Sequence, residues 1–211
     1  MSLLDEIKSK AAARKKTIVL CEGEDKRVIE AAAQITREGI AKIVLIGNEA
    51  ECKKIAPEVK LDGITLVDPL TSDKTAEYAK LLYEARKAKG MTEEQAAEQS
   101  KDRTIFGALM LKAGDVDGYV SGACHSTANT LRPGLQVVKT AAGIKTVSSC
   151  FIMIAPDNKN PYNPDGVAVF ADCAINIEPT AEQLADIAVS SAKTARSIAG
   201  IEPRVAMLSF S

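Results

Sequence analysis

"TIVLCEGEDKRVIEAAAQITREGIAKIVLIGN", residues 17–48, decides the fold. TIVLC (17–21) and AKIVLIG (41–47) are short apolar runs rich in β-branched residues. Between them, DKRVIEAAAQITREG (25–39) reads as a helix closed by Gly39. Strands that are apolar throughout must be covered on both faces, and a strand–helix–strand order sets the two strands parallel. No G-x-G-x-x-G follows the first strand and no G-x-x-x-x-G-K-[ST] occurs, so the usual dinucleotide and P-loop signatures are absent.

The same alternation continues outward. A helix opens at Asn48, ITLVD (64–68) is a third strand, and a long helix is expected from about Ser72 to Lys89 with Gly90 as its stop. Thr92 and Gln95 form a capping-box start for the next helix, and GYVSG (118–122) is the fourth strand. Upstream, Leu3, Leu4, Ile7 and Ala11 recur at helical spacing and mark an amphipathic first helix.

Near residue 147 the texture changes. TVSSCFIMIAP (146–156) reads as a longer strand, DNKNPYNPDG (157–166) as a turn-rich loop, and VAVFAD (167–172) as an antiparallel partner, because the connection is too short for a crossover helix. Thr180 with Gln183 opens another capped helix, and RVAMLSFS (204–211) is read as a final strand. The expectation is an α/β protein of two domains, 1–146 and 147–211, with parallel-rich sheets flanked by helices.

Composition sets limits on function. Of 211 residues, 46% are hydrophobic and 26% charged, an ordinary globular balance. A net charge of −1 supplies no basic field for nucleic acid and no basic face for a membrane. No apolar run approaches the roughly 18 residues of a membrane span, and MSLLDEIKSKAAARKK lacks the apolar core of a signal peptide. The five cysteines are scattered without a C-x-x-C pair, which suits free thiols in a reducing, cytoplasmic setting better than disulfides or a zinc site.

The richest chemistry lies in SGACHSTANTLRPGLQ (121–136). In open α/β sheets ligands bind where strands end and helices begin. Gly122 allows close backbone approach, Ser121, Ser126, Thr127 and Thr130 can donate to phosphate-like oxygens, and Arg132 adds a forked cation. Together they read as an anion site, although any single hydroxyl could equally be a helix cap. His125 reads as a supporting residue, since a general base needs an orienting partner that sequence does not display. Cys124 could carry an acyl group, but a small, partly buried thiol is the commoner case. Glu22, Glu24 and Asp25 could be metal ligands or plain complements to a helix dipole, and Arg86, Lys87 and Lys89 sit near a helix C-terminus, where cations are ordinary. No metal is assigned.

VDGYVSGACHSTANTLRPGLQVVKT (116–140) closely resembles the signature region of phosphate acetyltransferases. So do EGEDKRVIEAA (22–32), IVLIGNEAE (43–51), YEARKAKGMT (83–92), VFADCAINIEPT (169–180) and VAMLSFS (205–211), so the resemblance covers essentially the whole chain. It implies reversible acetyl transfer between acetyl phosphate and coenzyme A, with phosphate and acetyl-CoA as the other pair. It implies no permanently bound cofactor, a two-domain fold similar to that of isocitrate and isopropylmalate dehydrogenases, and usually a homodimer.

In that family the coenzyme A thiol attacks the acetyl phosphate carbonyl directly, and the arginine of the T-L-R-P segment, Arg132 here, lines the site. Arg86, in YEARK, is the family's second candidate for contact with coenzyme or phosphate. Direct attack disfavours Cys124 as a covalent carrier, and members commonly have alanine there. The base, arginine and serine that the resemblance makes catalytic belong to the last third of the family's length, so they are expected beyond Ser211. The chain is accordingly read as the N-terminal two-thirds, with little activity alone. A phosphate butyryltransferase and a non-catalytic acyl-CoA-binding module are the alternatives.

Overall fold

In the computed structural model, residues 2–156 and 166–208 are described. The chain divides into two compact units, 1–139 and 140–211, a division that falls before the 146/147 boundary expected from sequence.

The first unit is a parallel α/β layer structure. Strands β1 (Thr17–Leu20), β2 (Lys42–Ile46), β3 (Thr65–Val67) and β4 (Gly118–Val120) pair in the order β3–β2–β1–β4, every pair parallel. Between them come α2 (Lys26–Glu38), α3 (Glu49–Ile55), α4 (Thr75–Arg86), α5 (Glu93–Gln99) and α6 (Arg103–Ala113), with α1 (Leu3–Arg14) ahead of β1 and α7 (Thr127–Pro133) after β4. A π-helical turn, Gly134–Val138, continues α7.

Side-chain alternation along the strands distributes the core to both faces. Val19, Cys21, Val44 and Ile46 pack with Tyr78 and Leu82 of α4 and with Phe106 and Leu109 of α6. Leu20, Ile43 and Leu45 pack with Ile29 and Ala32 of α2 and with Cys52 of α3. Each such large apolar side chain contributes about 1.5–3 kcal/mol by leaving water. On the α2 side, an apolar groove of about 660 Å³ stays open beside the edge strand β4, bordered by Ile18, Val28, Ile35 and Val120.

Local signals act where the sequence places them. Asp25 caps α2 through the Arg27 N–H, and Gly39 ends it in the left-handed region at φ 66°. Asn48 caps α3, and Thr92 with Gln95 forms a complete capping box on α5. Two helical expectations need correction. The long helix starts at Thr75 rather than Ser72 and passes into a 3₁₀ turn at Lys87–Lys89 before Gly90. In α1, Leu4 faces solvent, and the half-buried apolar residues are Leu3, Ile7, Ala11 and Ala12.

The second unit holds β5 (Cys150–Ile154) and β6 (Val167–Ala171), an antiparallel pair in which Phe151 faces Phe170. The connecting stretch read as a turn-rich loop lies, from 157 to 165, outside the described residues. Helix α8 (Ala181–Thr194) opens on the Thr180–Gln183 capping box and packs against β6. The strand expected at 204–211 is not one over 204–208, and 209–211 lie outside the described residues.

Candidate functional site

Glu22 organises the region where β1 and β4 end. It stands two residues past the end of β1 and is 2% exposed. One carboxylate oxygen, Oε2, accepts the backbone N–H groups of Gly122 and Ala123, both at 2.9 Å. The other, Oε1, accepts the Cys124 N–H at 3.0 Å and lies 2.7 Å from His125 Nδ1. Since an ionised carboxylate can only accept, Nδ1 carries the proton in that contact. Burial pushes the Glu22 carboxyl up, but His125 and the Cys124, Ala123 and Gly122 N–H groups together bring it down to about 2. An ionised acid thus ties two loops about a hundred residues apart.

Neighbouring charges are paired outward from this point. Asp25 holds Arg27, whose guanidinium also donates to the Ala123 carbonyl at 2.6 Å. Glu24 pairs with Arg103, which reaches Glu51 at 2.6 Å. Of the three acids after β1, only Asp25 serves as the helix cap; Glu22 and Glu24 turn to distant partners.

This arrangement revises the anion reading of 121–136. The backbone N–H groups of 122–124 already point at Glu22, so they are not free to cradle a phosphate. Gly122 is required by conformation: its φ is 113°, and a Cβ would sit 3.2 Å from Thr130 Cγ2. Ser126 caps α7 by accepting the Asn129 N–H at 3.3 Å, and Thr130 donates to the Ser126 carbonyl at 3.0 Å. The Ser121 hydroxyl is buried beside Tyr119. Thr127 is exposed in the first turn of α7.

The cations behave differently. Arg132, in the last turn of α7, is exposed, and among the described residues it makes no hydrogen bond or ion pair. Arg86, at the end of α4, is half-buried, with its Nε fully buried and unpartnered. Helix α4 packs against the π-helical turn that follows Arg132.

Cys124 is exposed, its Sγ 3.6 Å from Glu22 Oε1, 3.7 Å from His125 Nδ1 and 3.9 Å from Glu24 Oε1. Local desolvation and then the Glu22 and Glu24 charges push its thiol up to about 11. At neutral pH it stays protonated, which is the opposite of an activated nucleophile. Sequence reading had set Glu22 among the acids of a helix start and so missed its contact with His125. The available signal was position: Glu22 precedes Gly23 and extends an apolar strand, whereas Glu24 and Asp25 follow the turn.

In the second unit, Asp172 forms a comparable bracket. Its carboxylate accepts Ser149 N–H at 2.9 Å, the Ser149 hydroxyl, Asn176 N–H at 2.5 Å and Asn176 Nδ2 at 2.7 Å. Burial opposes ionisation, but the Ser149 and Asn176 donors outweigh it and hold the acid well below the usual carboxylate range.

Comparison with known proteins agrees over the whole chain. Residues 2–211 match the family model described as phosphate acetyl/butaryl transferase. The phosphate acetyltransferase of Acetivibrio thermocellus is 50% identical over 211 residues, all of this chain and 63% of that protein. That of Escherichia coli K12 is 49% identical over 99% of this chain and 28% of its own length. Among solved structures, a phosphotransacetylase from Streptococcus pyogenes superimposes with a TM-score of 0.90 at 38% identity, covering 99% of this chain and 62% of that one. The EutD phosphotransacetylase from Staphylococcus aureus gives 0.87 at 41% identity, covering 99% and 61%. The chain therefore spans under two thirds of the length of these relatives. With a family model matching residues 2–211 and identity near one half from end to end, the chain belongs to the phosphate acetyl/butaryl transferase family.

Proposed function

We propose that this chain carries the leading part of a phosphate acetyltransferase. The reaction exchanges coenzyme A and acetyl phosphate for acetyl-CoA and phosphate. The observation that carries this reading is 50% identity across all 211 residues with a protein of that name. In the reaction the coenzyme A sulfur bonds to the acetyl carbon, the carbon–oxygen bond to phosphate breaks, and the thiol proton passes to a base. Within this chain, Arg132 and Arg86 are the proposed anion contacts, for phosphate or the phosphates of coenzyme A. The support is physical: one guanidinium is exposed and unpaired, the other has a buried unpartnered Nε. Thr127, exposed at the start of α7, is an additional donor, while Ser126 and Thr130 contribute by holding α7 in place.

The finer expectations follow the same reading. Coenzyme A acts as a substrate rather than a resident cofactor, the domains resemble those of isocitrate and isopropylmalate dehydrogenases, and the whole protein works as a homodimer in the cytoplasm within acetate metabolism. Five free cysteines fit a reducing compartment. Acetyl is favoured over butyryl because the relatives compared are named phosphate acetyltransferases.

The test joins these 211 residues to the remainder of the Acetivibrio thermocellus relative and follows thioester absorbance with acetyl and butyryl phosphate. Acetyl turnover should dominate, and Arg132→Lys should lose nearly as much activity as Arg132→Ala, because an ammonium cannot replace a forked contact. A lysine variant within about threefold of wild type would remove Arg132, since a charged hydrogen bond is worth about 1.5–3 kcal/mol. Turnover by the 211-residue chain alone within tenfold of the joined protein would put the catalytic groups inside it.

A further inference from the structure

Three donors of different chemistry converge where the loops after β1 and β4 meet. Cys124 Sγ, His125 Nδ1 and a Glu22 carboxylate oxygen all lie within 4.8 Å of one another. The sulfur is 3.7 Å from the nitrogen and 3.6 Å from Glu22 Oε1. Zinc bonds of about 2.3 Å to sulfur and 2.0–2.2 Å to nitrogen or oxygen, set at tetrahedral angles, separate such atoms by about 3.5–3.6 Å. The two sulfur distances are therefore already those of a zinc coordination sphere. Only the Nδ1–Oε1 pair, at 2.7 Å, must open, to about 3.4 Å on the same geometry.

We propose that Glu22, Cys124 and His125 form a binding site for a borderline divalent cation of the zinc class, with the fourth position open to water. A mixed thiolate, imidazole and carboxylate set is the donor chemistry that zinc takes and that magnesium or calcium does not. Exposure gives an entry path, because Cys124 is exposed and His125 is half-buried. Charge favours a cation as well: Glu24 Oε1 stands 3.9 Å from the sulfur, its other oxygen being engaged by Arg103.

The proton count closes. The ion takes the lone pair of Glu22 Oε1 that now accepts from His125, and His125 keeps one proton by carrying it on Nε2 instead of Nδ1. The Cys124 thiol releases one proton to solvent as the metal–sulfur bond forms. Oε2 stays with the Gly122 and Ala123 N–H groups, so the loop keeps its anchor.

The experiment titrates the 211-residue chain with Co²⁺, whose bond to a thiolate gives a charge-transfer band in the near ultraviolet, and then displaces it with Zn²⁺. One equivalent should saturate the band and zinc should abolish it. Cys124→Ala should remove the band entirely, and His125→Gln should weaken binding at least about tenfold, since even outer partners of a metal are worth 10–100-fold. Cys150→Ala and Cys173→Ala, in the other unit, should leave it unchanged. A missing band, a band that survives Cys124→Ala, or an affinity independent of His125 would overturn the site. Activity plays no part in this readout, so its failure would leave the proposed transferase function standing.

Discussion

Glu22 and Asp172 are both acids just past the end of a strand, and both collect backbone N–H groups, yet they do different structural work. Glu22 follows a central strand of a parallel sheet, and its partners at 122–125 come from the loop after β4. Asp172 follows one strand of an antiparallel pair, and its partners are Ser149, just before the facing strand, and Asn176, four residues on. The first acid is sealed from water and the second is half-buried, in a unit whose Phe151 and Phe170 are 58% and 57% exposed. Parallel strands end together at one edge of the sheet, so a carboxylate there can join loops distant in sequence; in this antiparallel pair Asp172 reaches only as far as Ser149, 23 residues away.

Breaking the Glu22 bracket should have the larger effect. Glu22→Ala leaves Gly122, Ala123 and Cys124 N–H groups and His125 without their acceptor, and a loss of about 3–5 kcal/mol is expected from chemical denaturation. Glu22→Gln isolates the charge. The folded carboxyl titrates near 2, below its ordinary 4.5, so its stabilisation is complete above 4.5 and is lost as pH falls toward 2. The glutamine variant should flatten the stability profile across that window; an unchanged acid limb would mean Glu22 is not the group titrating there.

Asp172→Asn should cost less, about 1–3 kcal/mol, because its site is partly open to water. Its signature is local: in hydrogen exchange the amides of Ser149 and Asn176 should lose protection while those of 122–124 keep it. Loss of protection at both loops would make the two brackets one cooperative system and erase the contrast drawn above.

Arg132→Ala should have the smallest effect on stability, within about 0.5 kcal/mol by thermal unfolding, since the side chain is exposed and unpaired. A larger loss would mean that Arg132 is structural, and that the anion role proposed for it needs another residue.

Much of the first unit could be read from the chain because its signals are local. Apolar β-branched runs gave the strands of residues 17–48, and Asn48, Gly39, Thr92 and Thr180 cap helices at the positions their chemistry predicts. Where the reading went wrong, a distant partner was the deciding element. RVAML (204–208) has strand composition but forms no strand. Leu4 has the spacing of a buried residue and faces solvent, because α1 turns Leu3, Ile7, Ala11 and Ala12 inward instead.

The sequence alone determined the parallel α/β character of residues 17–120, the helix boundaries set by caps and glycines, and the concentration of polar chemistry at 121–136. It could not rank three acids within four residues, Glu22, Glu24 and Asp25, nor say which hydroxyls and amides of 121–136 were already engaged. Tertiary structure decided both. Register between β1 and β4 carries the Glu22 side chain to the amides at 122–124, which takes those donors away from any ligand and leaves Arg132 and the Arg86 Nε as the unpaired groups. Caps and periodicity depend on neighbours three or four residues apart, and so can be read along the chain. A carboxylate's choice among partners a hundred residues away depends on burial and strand register, which exist only once the sheet has formed.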